Sequence, residues 1–216
     1  MYTSLYALAR RMLSDKPEEH ETIESFIIPV LKELDWPIRY CGNGVCLRRK
    51  TSSGFDLMFT YKNMPLLAIE CKRFSTDILA TSANKDESPS NHRLSEQVIL
   101  YFKKIIAPSV QGNYRPHIIW TNGAYWIVFK DAALNDRISE RLSEEELYEK
   151  FKELKNKDEN NWFKRFSLIE DNLEAVAAAL EKLSAEISFE KVFGDYTLKS
   201  VTNNTSRKTI NGGNNT

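Results

Sequence analysis

The chain is poor in cysteine, has no long apolar run and carries no net charge. Three cysteines in 216 residues, Cys41, Cys46 and Cys71, cannot all pair with one another. So few exclude a disulfide-stapled scaffold, and they are expected to serve as small packing residues in a reducing, cytoplasmic compartment. Cys41 and Cys46 have no histidine close in sequence, which excludes a local structural zinc site. No segment approaches the ~20 apolar residues of a membrane helix, and residues 1–11 lack the basic, apolar, small order of a secretory signal. No membrane partner is expected. Lys and Arg total 30, as do Asp and Glu, so no global basic field draws the chain to nucleic acid. The phosphate-cradling pattern Gly-x-x-x-x-Gly-Lys-Ser/Thr is missing, so no ATP-driven motor is encoded here. His20, His92 and His117 have no metal-ligand spacing.

What is present is an ordered set of acids, a lysine and strands. The apolar content, 42%, is enough for a core. Residues 2–13 read as a helix. Ser14-Asp15-Lys16-Pro17 reads as the start of a second, with Ser14 or Asp15 as cap and Pro17 in its first turn. Ile23, Phe26, Ile27, Val30, Leu31 and Leu34 keep helical spacing, Pro29 is expected to bend that helix, and Glu24 lies at the edge of its apolar stripe. Strands are predicted over Val45 to Lys50, Phe55 to Tyr61 and Pro65 to Lys72, with turns at 51–54 and at Lys62-Asn63-Met64. Side chains in a strand alternate, so Glu70 and Lys72 share a face, and a hairpin can bring Asp56 to it.

Residues 75–91 read as a polar loop, Leu94 to Ile106 as a helix carrying Gln97 and Tyr101, and Pro116 to Phe129 as two strands around Thr121-Asn122-Gly123. Beyond Lys130 the chain reads as charged helix (138–156), a helix rich in Ala and Leu (Leu168 to Ile187), and a flexible tail from 200 to 216. The expected division is therefore a core over 1–130, a helical region over 131–199 and the tail. Charge divides in the same way. Residues 1–130 hold 17 Lys and Arg against 13 Asp and Glu; residues 131–216 hold 13 against 17. Arg48-Arg49-Lys50 and Arg73 border the strands that carry the acids, which makes them candidate DNA contacts, although such runs are also ordinary solvated surface.

Helix with Glu24, strand with Asp56, strand with Glu70-Cys71-Lys72 and helix with Gln97 and Tyr101 together resemble the PD-(D/E)XK nuclease superfamily. Glu24 to Trp36, Leu67 to Lys72, Gln97 to Tyr101, and Thr121-Asn122-Gly123 with Trp126 are similar to the nuclease domain of type I restriction enzyme R subunits. The resemblance spans roughly residues 19–130. One departure is Phe55, which stands where that family often has a proline before its acid.

The resemblance implies an α/β fold with a restriction-endonuclease-like core, a mixed sheet of about five strands flanked by helices, plus extra C-terminal helices. It implies a Mg²⁺-dependent deoxyribonuclease, with Mn²⁺ as substitute, of restriction, repair or recombination type. Asp56, Glu70 and the Cys71 backbone carbonyl would hold the metal. Lys72 would handle water and phosphate charge, Glu24 would join as a further acid, and Gln97 would brace the set. The alternatives are a non-cleaving nucleic-acid-binding protein of the same fold, in which Asp56, Glu70 and Lys72 form an ordinary ion network, and an assembly protein. Leu173, Val176, Ala177, Leu180 and Leu183 form a stripe expected to serve either a homodimer interface or the chain's own sheet.

Overall fold

A computed structural model describes residues 2–38, 44–49, 55–76, 78, 116–130, 153, 157–160 and 163–198. Helix α1 (Tyr2–Asp15) buries Leu5, Ala9 and Met12, one face at helical spacing. It ends where Lys16 turns to φ 47° while still donating its N–H to the Met12 carbonyl. Ser14 and Asp15 thus close this helix and do not cap the next one, as the sequence had suggested. Helix α2 (Glu19–Thr22) starts after Glu18, which makes no side-chain cap, and Pro17 lies outside it.

Helix α2 runs through a π-helical turn (Ile23–Ile27) into α3 (Ile28–Glu33). In that turn the Ile28 N–H reaches the Ile23 carbonyl, five residues back. Pro29 sits in the first turn of α3 and has no N–H for the carbonyl four residues back. The expected disturbance is therefore a widened turn just upstream of the proline.

Six strands follow in spatial order β1 (Val45–Arg49), β2 (Leu57–Tyr61), β3 (Met64–Cys71), β4 (His117–Thr121), β5 (Tyr125–Phe129) and β6 (Phe163–Ser167). Only the β3–β4 pair is parallel; the other neighbours are antiparallel. The β2–β3 hairpin closes on Lys62 and Asn63, at φ 48° and 65°, the doubly left-handed backbone that matches strand twist. The described structure is thus α/β, a mixed sheet flanked by helices. Strand β6 was not foreseen. Phe163 and Phe166, three apart with Lys164 and Arg165 between them, do not alternate as a half-exposed strand would. Both phenylalanines are buried, on opposite faces of the sheet, so the alternation is lost.

One sheet face, with Leu57, Phe59, Leu67, Ile69, Ile119, Trp126, Val128 and Phe166, forms a continuous core with the helices. Helix α4 (Leu173–Ile187), capped by Asn172 accepting from the Ala175 N–H, contributes Val176, Leu180, Leu183 and Ile187 as buried residues. The Trp36 indole donates to the Ile187 carbonyl at 2.8 Å and its ring packs on Phe59. The apolar stripe read as a possible dimer surface is therefore taken up by the chain's own fold. No described helix is long and apolar enough to cross a membrane.

The β4–β5 turn is the tightest point. Asn122 donates to the Phe74 and Thr76 carbonyls and accepts from the Tyr125 N–H. Gly123 has φ 85°, and a Cβ there would lie 2.9 Å from a Phe26 ring carbon. Gly123→Ala is expected to cost about 2–4 kcal/mol, combining overpacking with a left-handed backbone. Urea denaturation should show a lower midpoint with the slope retained.

Candidate active site at the carboxyl end of the parallel strand pair

The last ladder pair between β2 and β3 sets Leu57 against Ile69, so Asp56 falls opposite Glu70, one step further along. On the other side β4 places Trp120 beside Glu70. Asp56, Glu70 and Trp120 thus form a row across three neighbouring strands, on the face away from the helical core. The Asp56 carboxylate accepts the Cys71 N–H at 2.8 Å, which fixes it at the end of β3. Lys72, two residues beyond Glu70, donates its Nζ to Glu70 Oε1 at 2.5 Å. Its backbone N–H continues toward β4 by donating to the Thr121 carbonyl. The sequence-predicted trio of Asp56, Glu70 and Lys72 therefore comes together.

Glu70 is 3% exposed. Its pKa is pushed up to about 7, first by burial, then by the Asp56 charge, while Lys72 pulls it back; Glu19 adds a further upward push. Half-ionisation near neutral pH suits a group that changes its charge state when it binds something. The Cys71 thiol points to the opposite face and is fully buried. Burial pushes its pKa up well above the thiol range, which makes it inert.

Glu19, at the start of α2, lies near enough to Glu70 for its charge to be felt there. Thr22 is fully buried, with its hydroxyl donating to the Glu18 carbonyl and accepting the Phe74 N–H. The bond from Phe74 ties the end of α2 to the chain leaving β3, and Arg73 adds an ion pair to Glu18, just ahead of the helix, at 2.9 Å. Glu24, chosen from the apolar stripe, lies one and a half turns further on and forms an ion pair with Arg49 of the edge strand β1.

The basic candidates separate. Arg48 and Arg49 are exposed on opposite faces of β1, and Arg48 donates to the Asn63 side chain at 2.9 Å. Arg73 is exposed where the chain leaves β3. Lys50, Gln97 and Tyr101 lie outside the described residues, as do the predicted helix over 94–106 and the tail. Cys46 is disulfide-bonded and so is not a lone packing residue; Cys71 is free, and Cys41 lies outside the described residues.

Among the described residues, no three or more His, Cys, Asp and Glu side chains gather in a group that could hold a metal ion. Comparisons with protein-family models, curated proteins and solved structures found no match.

Proposed function

We propose that the protein is a metal-dependent nuclease that hydrolyses DNA phosphodiester bonds, with Asp56, Glu70 and Lys72 as its catalytic residues. The observation that carries this reading is a buried glutamate opposite an aspartate in the strand register, with its pKa raised to about 7 and a lysine on its oxygen. Burying one carboxylate beside another is unfavourable for the fold. A purely structural role would be better met by a neutral pair.

The donor chemistry fits a hard divalent cation. Two carboxylates and the Cys71 backbone carbonyl would hold Mg²⁺, or Mn²⁺ in its place, by oxygens alone. When bound, such an ion polarises the scissile phosphate and acidifies a water. Asp56 is held in place by the Cys71 N–H, which fixes its carboxylate at the end of β3. Glu70 must be ionised to bind, so affinity rises with pH through about 7. The Lys72 ammonium neutralises charge building on the phosphate. Glu24, ion-paired with Arg49, remains the further acid of the helix in this reading, and Glu19 adds a small upward push on the Glu70 pKa.

Arg48 and Arg49, with Lys50, are proposed to meet the DNA backbone beside β2, and Arg73 to meet it beyond β3. Phosphate contacts give affinity without sequence information. Replacing Arg48, Arg49 and Lys50 together with alanine is expected to flatten the plot of log affinity against log salt by about 2–3 units of slope. Fluorescence anisotropy with labelled duplex measures it. An unchanged slope places the DNA on another surface.

The reading as a whole is tested by incubating the protein with supercoiled, linear, single-stranded and branched DNA in Mg²⁺, Mn²⁺, Ca²⁺ or EDTA. Cutting in Mg²⁺ and Mn²⁺, with little in Ca²⁺, is expected. Binding without cutting under every condition supports the non-cleaving alternative, with the three residues as an ion network.

A further inference from the structure

We propose that Trp120 is a positioning residue for Lys72, its indole face carrying the ammonium beside Glu70. This rests on the nuclease reading above. Strands β3 and β4 are parallel and in register, with Glu70 directly beside Trp120, so the two side chains project from the same face. Lys72 shares that face. Its Nζ bonds Glu70 Oε1 at 2.5 Å and stands 5.3 Å from the centre of the Trp120 ring. That lies within the ~6 Å reach of a cation–π contact, for which tryptophan is the strongest partner. The ring is 1% exposed, so little water weakens the attraction.

A comparison within the chain separates this role from simple packing. Trp126, on the opposite face, is equally buried, and its indole N–H donates to the Gly123 carbonyl at 2.9 Å. Among the described residues, the buried Trp120 N–H meets no acceptor. Buried donors are normally satisfied, and phenylalanine would fill this place without leaving one unmet. What the indole adds is a stronger face for a cation. Were Glu70 to hold a metal ion, the ring would still carry Lys72 and keep its ammonium beside the site.

The test pairs a direct readout with kinetics. In metal-free wild-type protein carrying labelled lysine, the Lys72 ε-methylene proton resonance, assigned by its loss in Lys72→Met, is expected upfield because of the ring current. Trp120→Phe should keep part of that shift and cut DNA within about threefold of wild type. Trp120→Leu, which keeps the apolar volume but no ring, should lose the shift and cut about tenfold more slowly. A Lys72 resonance at the ordinary lysine position in the wild type would overturn the proposal without any variant, as would a Trp120→Leu enzyme of full activity. If the wild type cuts no DNA but the shift is present, the nuclease reading fails and the ring–ammonium contact stands.

Discussion

Glu70→Gln is expected to abolish metal-dependent cleavage and, in the same protein, to raise the melting temperature in EDTA at pH 8. The two effects have one cause. Glu70 titrates near 4.5 when unfolded and at about 7 when folded. Between those values the folded chain keeps a proton that the unfolded chain has released. Stability from this group therefore falls as pH rises through the window and stays low above it. The loss amounts to about 3 kcal/mol, and glutamine, which does not titrate, avoids it. The gain should vanish below pH 4.5, where wild-type Glu70 is protonated in both states. A buried residue retained for packing or ion pairing predicts the reverse, because removing its charge would strand Lys72. Melting curves of wild type and variant at pH 4, 6 and 8 decide between them.

Asp56→Asn is expected to lower cleavage by about 10³-fold or more while leaving the fold near wild type, whereas Asp56→Ala loses both. Asparagine keeps an oxygen for the Cys71 N–H, which the native carboxylate accepts at 2.8 Å. It lacks the charge that a divalent cation requires. Alanine also leaves the N–H at the end of β3 without its partner, at a cost of about 1–3 kcal/mol. Single-turnover cleavage and urea denaturation of both variants separate the two contributions. Equal stability of the two would show that the Asp56 carboxylate does not brace β3, and full activity in either would move the chemistry elsewhere.

The grouping of Asp56, Glu70 and Lys72 was legible in part because some of its physics is local. Alternation puts Glu70 and Lys72 on one face, but the turn at Lys62-Asn63 alone would set Asp56 against Ile69; an irregularity between Phe59 and Thr60 shifts the register by one and brings Asp56 opposite Glu70. Thr121-Asn122-Gly123 announced its hairpin through the one residue type that tolerates φ 85° beside Phe26. The misreadings came where tertiary packing decides. The ion pair of Glu24 with Arg49 and the bond from the Phe74 N–H to Thr22 join separate elements, so local pattern did not show them. Strand β6 is buried on both faces and so lost the alternation that identifies a strand. The stripe of α4 could equally have met a second chain. The Trp36 bond to Ile187, between residues far apart in sequence, helps commit it to its own sheet.

The central claim, that Asp56, Glu70 and Lys72 form a metal-dependent nuclease site, is tested most directly by one measurement. It is the rate at which wild-type protein and Glu70→Gln cut supercoiled DNA in Mg²⁺, each with an EDTA control. The account predicts cutting by the wild type in Mg²⁺ alone and none by the variant. Equal rates for the two proteins, or a wild type that cuts as well in EDTA, would contradict it.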